Sequence, residues 1–531
     1  MTLTATSPLK QTEPAQQTQE ATPVAARRPN RRAVMVSAVL TQLMIVLDLT
    51  IIAIALPHMQ EDLGMTVSQS PWTVTGYSLA FGGLVLFGGR LCAVVGIRRS
   101  YQVGLIGFGI ASLAAGMATS FSVLLAARVA QGCFGALLAP TSQSLLNVTF
   151  TERTERERVF AIFGATGGLG AAVGLLVGGA LTDWFSWRWA LYINILLAAA
   201  SLLIGQRSLP PADQRDRGSR ITDDLSGLVL GCGACFSAVY GLDRAQQTSW
   251  TSTSTVSWLA LGGIAAVLFV VRERFASRPV LPLSMMALPV RAASYATQFV
   301  AGAAQMGAII YLTYYMQNHF GYSPLKSGVV FLPMVLALIA TAIPAGRIIV
   351  PRLGARGTLP LGLAVLAGSF LIFSRMTTES TYEHVALPGL IVFGIGLGLT
   401  MPVTFNSGTR GVDAKRTGLA SAILSAAQQI GGSFGVALMT SYATQHAEDY
   451  VTDHTEEVKA AAMEAMMRAQ SLPQSPAGKR IIESLKAELI DRAQIEAYSG
   501  GFSMMAWVLA GAVVILVACG IGLSLRRRRR R

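Results

Sequence analysis

Residues 33–57 read AVMVSAVLTQLMIVLDLTIIAIALP, and this apolar run contains one ionisable side chain, that of Asp48. A helix of about 20 mostly apolar residues is long enough to cross a bilayer. The run therefore predicts a first membrane span over residues 34–57. It is longer than the apolar core of a signal peptide and lacks a small-residue cleavage site, so we expect it to be retained. A carboxyl group inside a span is costly, which makes Asp48 a functional candidate.

The composition of the whole chain agrees with a membrane protein. Of its 531 residues, 52% are hydrophobic and 13% are charged, whereas soluble proteins usually carry about 25% charged residues. The net charge of +14 could suggest a nucleic-acid partner. The basic residues are spread over many short loops and form no single patch, so we expect no nucleic acid to bind.

Fourteen apolar segments long enough to span a membrane follow one another along the chain. Arginines collect in every second connection, which fits the positive-inside rule if both termini are cytoplasmic. We therefore predict an all-α, multi-pass protein of the cytoplasmic (inner) membrane. The arginine tail 526–531 is expected to contact anionic membrane lipid.

An internal repeat divides these segments. Gly89-Arg90 precedes Gly96-Ile97-Arg98 at the end of the second span, and Gly346-Arg347 precedes Gly354-Ala355-Arg356 at the end of the tenth. Repeated halves are the usual plan of secondary transporters, so we predict a 6+2+6 arrangement. The expected parts are a disordered cytoplasmic tail (1–33), an N-terminal six-helix bundle (34–206), a two-helix linker (207–290), a C-terminal six-helix bundle (291–525) with an exterior loop (445–500), and the arginine tail (526–531).

Buried charge points to the chemistry. Asp48 is the one acidic residue well inside a span, while Asp243 lies at the outer end of another. Asp48 precedes Pro57 by nine residues, about 13.5 Å along a helix, and Arg128 lies at a similar depth in the fourth span. A buried carboxylate needs a cation nearby. We therefore expect Asp48 and Arg128 to carry proton coupling; the alternative is a static structural pair.

Motifs of enzymes and ATP-driven pumps are absent from the sequence. It contains no H-E-x-x-H pair, no G-x-S-x-G turn and no P-loop. Cys232 and Cys235 form a C-x-x-C without further ligands nearby, so we expect no metal site. The sequence predicts a transporter that is no enzyme, needs no cofactor and is driven by the proton gradient.

Several motifs resemble those of one family. LDLTIIAIALP (47–57), LAARVAQG (125–132) and the glycines of residues 170–179 are similar to motifs of the fourteen-helix drug:proton antiporters, the EmrB/QacA branch of the major facilitator superfamily. In that family the arginine of the second motif serves proton coupling. The resemblance implies a major facilitator fold and antiport of drugs against protons.

The chain departs from the family pattern at three places. Ala93 and Ile97 replace an acidic and a basic residue of the loop after the second span, which implies a differently locked cytoplasmic gate. Leu175 stands where the fifth-span motif has a proline, which removes a bend from that helix. Leu196 replaces another proline two residues after Asn194.

Further candidates fall into two groups. Substrate-binding candidates are polar or aromatic residues within spans: Thr50, Tyr77, Gln131, Gln298, Gln305, Tyr311, Gln428 and Gln429. Candidates for helix packing and conformational change are Gly89, Gly96, Arg98, Gly170, Gly174, Gly178 and Gly179. An apolar cavity with few polar groups suits amphiphilic compounds, so we expect neutral or monocationic lipophilic substrates.

The expected function is proton-coupled efflux of lipophilic drugs or antibiotics by a monomer. Three alternatives stay open at this point: a dedicated exporter of one endogenous metabolite, siderophore or lipid; a nutrient:proton symporter; and a non-transporting receptor or scaffold. An inert scaffold has no need to bury a charge pair, which disfavours the last of these.

Overall fold

The computed structural model of the chain describes residues 30–66, 69, 72–206, 225–276, 279, 281, 285–286, 288–412, 416–468 and 476–529. Most of the predicted tail 1–33, the connection 207–224 and residues 530–531 lie outside this part. The described residues form helices and no strands. The helices are α1 (Arg31–Asp62), α2 (Trp72–Val95), α3 (Ile97–Gly116), α4 (Phe121–Thr149), α5 (Arg153–Trp184), α6 (Trp187–Gln206), α7 (Leu225–Gln247), α8 (Thr253–Phe275), α9 (Pro289–Tyr314), α10 (Pro324–Val330), α11 (Leu332–Pro344), α12 (Val350–Phe373), α13 (Leu387–Thr409), α14 (Thr417–Arg468) and α15 (Pro476–Arg529).

Eleven helical stretches in the described part are long and apolar enough to cross a membrane. Two further helices of sufficient length, α3 and α5, fall outside that group. Arg98 and Arg99 lie in the first turn of α3, and α5 begins with the alternating charges of residues 153–158. The two arginines lower the mean hydropathy of α3, which packs against α4, whereas residues 164–181 of α5, which packs against α1, form an uncharged and mainly apolar stretch.

The stretch Leu325–Phe373 combines α10, α11 and α12 in 49 residues. At about 1.5 Å per residue this is more than twice the thickness of a hydrocarbon core of about 30 Å. The path bends at Gly354, whose backbone angles (φ 67°, ψ 170°) are not helical. Gly354 therefore separates an incoming helix from an outgoing one.

The two copies of the sequence repeat each contain a glycine with a positive φ angle. Gly96, between α2 and α3, has φ 98°, and Gly354 has φ 67°. Residues with a Cβ rarely adopt such values, whereas glycine does so readily. The repeat therefore records a tight turn between consecutive helices in each half of the chain.

The helices pack in two groups. In the first, α1 packs against α4, α5 and α6; in the second, α9 packs against α13 and α14, and α12 against α13 and α15. Helices α7 and α8 pack on each other, and α7 also contacts both α2 and α14. One linking helix thus lies at the seam between the two groups.

The expected loop 445–500 is helical in its described residues. Helix α14 continues to Arg468, and α15 starts at Pro476, far before the apolar segment at 502–525. Both extensions are rich in Ala and Glu, which favour helices. The first part of α15 contains apolar residues at helical spacing: Ile481, Ile482, Leu485, Leu489 and Ile490.

Candidate functional site

Asp48 lies in the interior of the first helix group. Its side chain is fully buried and accepts hydrogen bonds on both oxygens. Arg128 donates from Nη1 to Oδ2 at 2.6 Å, Asn194 donates to Oδ1 at 2.7 Å, and Gln131 donates to Oδ1 at 3.1 Å. A carboxylate accepts hydrogen bonds and donates none. The surroundings of Asp48 are therefore those of an ionised group held by three donors.

Arg128 is buried to the same degree and is fixed from several sides. Its Nε donates to the Thr73 carbonyl at 3.0 Å, and Nη1 also donates to Gln131 at 2.9 Å. Its guanidinium carbon lies 4.6 Å from the centroid of the Tyr77 ring. Within the part of the chain described by the structure, Nη2 of Arg128 and the Tyr77 hydroxyl have no hydrogen-bond partner. The ion pair therefore retains unused hydrogen-bonding capacity.

Glycines of α5 bring α1 into place. A Cβ on Gly170 would meet Val46 at 3.0 Å, and one on Gly178 would meet Ile51 at 3.0 Å. A Cβ on Gly174 would collide with the hydroxyl of Thr50. The predicted glycine ladder thus lets α5 approach the segment of α1 that carries Asp48. Gly179 is buried as well.

A buried hydroxyl cluster lies further toward the start of α1. Ser37, Thr41, Tyr101 and Ser201 are fully buried and hydrogen-bond to one another, for example between the Tyr101 and Ser201 hydroxyls at 2.9 Å. The sequence analysis did not identify this cluster. The signal was available: Ser37 and Thr41 lie one helical turn apart, and Asp48 two turns further on one side of α1.

A cavity of about 390 Å³ lies between the two helix groups. This volume falls in the range of sites for drug-sized ligands, about 300–1,000 Å³. Its wall is formed by residues of α1, α2, α4, α7, α9 and α14 and is mainly apolar. The polar lining residues include Gln42, Thr50, Thr75, Tyr77, Ser78, Gln143, Asp243, Gln246, Gln305, Thr313, Tyr314, Ser425, Gln428, Gln429 and Ser433.

The predicted substrate residues divide into two sets. Thr50, Tyr77, Gln305, Gln428 and Gln429 line the cavity. The other three have partners outside its lining. Gln131 belongs to the Asp48 network, Gln298 accepts from Thr404 at 2.5 Å, and the Tyr311 hydroxyl donates to Thr440 at 3.0 Å.

Asp243 of α7, which the sequence places at the outer end of a span, lines the cavity. Its carboxylate accepts from Thr75 at 2.9 Å and from Gln247 at 2.8 Å. It is the one charged side chain among the lining residues. Val239, Asp243 and Gln246 follow a helical spacing and share one face of α7, a pattern that could have placed Asp243 toward the cavity.

We call the side of the molecule on which α1 begins the basic side. The cavity is closed on this side. Gln143 donates to Ser425 at 3.2 Å across the seam, and Thr409 donates to Asn147 at 3.1 Å further along. Phe160, Phe163 and Phe405 then pack their rings with centroids 5.9–6.5 Å apart. The cavity lining reaches the opposite ends of α2, α7 and α9.

Two residues of the predicted gate also lie on the basic side. A Cβ on Gly89 would meet that of Ala422 at 2.5 Å, so α2 and α14 touch closely at this glycine. Arg98 donates to the backbone carbonyl of Gln206 at 3.3 Å. The helices of the two halves are therefore in contact where the loop motif lies.

An ion pair ties the other end of α1 to α6. Arg188 donates to Asp62 at 2.5 Å, and the Trp187 indole donates to the same oxygen at 3.1 Å. These two hydrogen bonds, that from Arg188 first, hold the pKa of Asp62 below its usual value of 3.8. Asp62 lies beyond the apolar span of α1 and is 46% exposed, so the pair is solvent-screened.

Comparison with known proteins places the chain among transporters. A sequence model described as Major Facilitator Superfamily matches residues 38–436. The puromycin resistance protein pur8 of Streptomyces alboniger is 39% identical over 80% of this chain and 84% of its own. The tetracenomycin C resistance and export protein of Streptomyces glaucescens is 30% identical over 95% of this chain and 94% of its own.

Solved structures agree on the fold. The crystal structure of the human organic anion transporter MFSD10 (TETRAN) superposes with a TM-score of 0.58 over 91% of this chain and all of its own, at 15% sequence identity. Tetrameric PepTSo2 superposes with a TM-score of 0.54 over 94% of this chain and 99% of its own, at 14% identity. At such low identity the likeness concerns the arrangement of the helices.

Proposed function

Because the chain belongs to the major facilitator superfamily, we propose that it exports lipophilic small molecules, such as antibiotics, across the cytoplasmic membrane in exchange for protons. The observation that carries this proposal is the fully buried Asp48–Arg128 pair beside a drug-sized cavity. The Tyr77 side chain lies between the pair and the cavity. The family membership makes it a transporter and no enzyme, and its antibiotic-resistance relatives support drug efflux. The energy source in this proposal is the proton gradient, with no cofactor.

Asp48 is the proton carrier in this mechanism. In the present conformation it is arranged as a carboxylate, with Arg128 as its counter-ion. Protonation would cancel the charge of Asp48 and leave a buried guanidinium without its partner, which is strongly unfavourable. The helices that contribute the donors, α4 and α6, would then have to shift relative to α1. Such a shift is what couples proton uptake to a change of the accessible side.

We further propose fourteen membrane spans in a 6+2+6 arrangement, with the parts and boundaries stated above. Counting the stretch Leu325–Phe373 as two crossings at Gly354 and adding α3 and α5 to the apolar stretches supports this number. The arginines of alternate connections favour a cytoplasmic basic side and cytoplasmic termini. In this orientation the cavity faces outward, and the monomer contains a complete site.

A dedicated exporter of one compound is the second candidate. The names of the two sequence relatives each refer to a single antibiotic, puromycin or tetracenomycin C. A cephamycin export protein of Amycolatopsis lactamdurans, 34% identical over 76% of this chain and 83% of its own, follows the same pattern. Resistance conferred against one member of a wide compound panel would favour this narrower function.

The decisive experiment measures efflux in everted membrane vesicles with an imposed pH gradient. The wild-type protein should move a lipophilic dye against its gradient and stop when a protonophore is added. Asp48→Asn should abolish gradient-driven movement, while Asp491→Asn, the same charge change outside the cavity lining, should retain it. Gradient-driven transport by Asp48→Asn at the wild-type rate would overturn the proton-carrier role.

A further inference from the structure

A second carboxylate faces the space between the two helix groups. Asp243 lies four residues before the end of α7, and α7 packs against α2 on one side and α14 on the other. Its side chain is more than half buried and lines the cavity together with Gln246 of the following turn. The linking pair of helices therefore contributes a charged group to the cavity wall.

Asp243 forms no salt bridge with a basic side chain in the described part of the chain. Its partners are the neutral groups of Thr75 and Gln247, at 2.9 Å and 2.8 Å. The adjacent Arg244 forms no salt bridge with it and acts on it only through a longer-range charge interaction; its Nε donates to the Tyr240 hydroxyl at 3.1 Å and its Nη1 to Gln247 at 3.4 Å. No Lys, Arg or His occurs among the lining residues. The cavity lining thus contains one carboxyl group that has no direct ion pair.

The remaining wall fits the rest of a cationic amphiphile. Tyr77, Phe81 and Tyr314 offer aromatic rings, which attract cations on their faces and accept apolar surface. Gln42, Gln305, Gln428 and Gln429 supply neutral hydrogen-bonding groups without adding charge. A single carboxylate in such a wall matches one positive charge and leaves a second one uncompensated.

We infer that Asp243 is the subsite for the cationic head of the substrate, a protonated amine or quaternary ammonium group on a lipophilic body. This inference rests on the proposed function and names the substrate class of its cavity. It separates the two carboxylates by role: Asp48 exchanges the proton, and Asp243 holds the organic cation. Helix α2 connects them, since Thr73 bonds to Arg128 and Thr75 to Asp243.

The test compares binding of two probes to the purified full-length protein in detergent, with no gradient present: ethidium, a permanent monocation, and Nile red, a neutral lipophilic dye. Asp243→Asn should weaken ethidium binding at least tenfold and change Nile red binding less than about twofold. Asp243→Glu should bind ethidium more tightly than Asp243→Asn. Asp491→Asn, outside the cavity lining, should bind both dyes like the wild type.

The outcomes separate this inference from the proposed function. Equal affinity of wild type and Asp243→Asn for ethidium would overturn the subsite, as would an equal loss for both dyes. Asp48→Asn should lose gradient-driven efflux, because it alters proton exchange. If wild-type vesicles failed to export either dye under a pH gradient, the proposed function itself would fall, whatever the binding data of Asp243→Asn.

Discussion

The ring of Tyr77 lies 4.6 Å below the guanidinium carbon of Arg128 and also lines the central cavity. One side chain therefore touches both the buried ion pair and the space proposed for the substrate. A change in the charge state of Asp48 alters the electric field at this ring directly. Tyr77 is thus placed to transmit the state of the proton site to the cavity.

Replacing Tyr77 should uncouple the two sites. Tyr77→Leu removes an interaction of about 2 kcal/mol for a desolvated cation and ring, and we expect gradient-driven dye efflux in vesicles to fall about tenfold. Tyr77→Phe keeps the ring and loses a hydroxyl that has no partner among the described residues. That variant should retain efflux within about twofold; equal rates for Leu and Phe would contradict the coupling role.

The buried pair predicts a non-additive effect on stability. Arg128→Met leaves the Asp48 carboxylate buried without its counter-ion, which costs about 3–5 kcal/mol. Adding Asp48→Asn removes that stranded charge and should recover part of the loss. Thermal unfolding of the purified proteins measures this: the double variant should melt above Arg128→Met alone. A double variant that melts lower, by the sum of both single effects, would speak against a direct pair.

The α1–α5 contact predicts a strong effect of one methyl group. The Cβ of Gly174→Ala would collide with Thr50, two residues from Asp48. Overpacking of this kind costs about 1–3 kcal/mol, and efflux should fall with it because α1 is displaced. Gly263→Ala is the matched control, since no atom lies within 4 Å of the added Cβ on α8. Unchanged melting and efflux in Gly174→Ala would show that α1 and α5 are further apart.

The Asp62–Arg188 pair predicts a contribution to stability that is present at neutral pH and lost only in acid. The pKa of Asp62 is lowered in the folded state by the hydrogen bonds from Arg188 and Trp187. A lowered pKa means that the pair stabilises the fold fully above 3.8, and that this contribution is lost as the pH falls below that value. The melting temperatures of wild type and Asp62→Asn should therefore differ by a constant, small amount near neutral pH and converge in strong acid. If the difference between the two melting temperatures grew as the pH was lowered, the prediction would be contradicted.

The sequence predicted the class of fold well, because lipid forces each crossing to be a long apolar helix and places arginines on one side. It also placed Asp48 and Arg128 at the same depth, since helical rise converts residue number into distance. Depth does not specify which way a side chain faces. Asp243 was therefore assigned to a helix end although it points into the cavity.

The orientation of helices about their axes explains the other differences. Gln131, Gln298 and Tyr311 lie on predicted spans but contact Asp48, Thr404 and Thr440 respectively. The hydropathy of a segment does not depend on how the helix is rotated about its axis. The sequence therefore could not distinguish these three residues from the five that line the cavity. That α14 continues to Arg468 and that α15 begins at Pro476 could not be predicted for another reason. The mixed charge of these segments indicates where a membrane span ends. It does not indicate whether the helix itself ends at the same residue.

These continuous helices also matter for imaging the protein. Helix α14 has 52 residues, about 78 Å in length, whereas a hydrocarbon core measures about 30 Å. Together with the start of α15, against which it packs, it is long enough to extend well beyond the hydrocarbon core. A transporter of this size usually offers few landmarks for aligning particles in electron cryomicroscopy. This protruding pair supplies one, and a natural epitope for a conformation-trapping antibody fragment beside the mouth of the cavity.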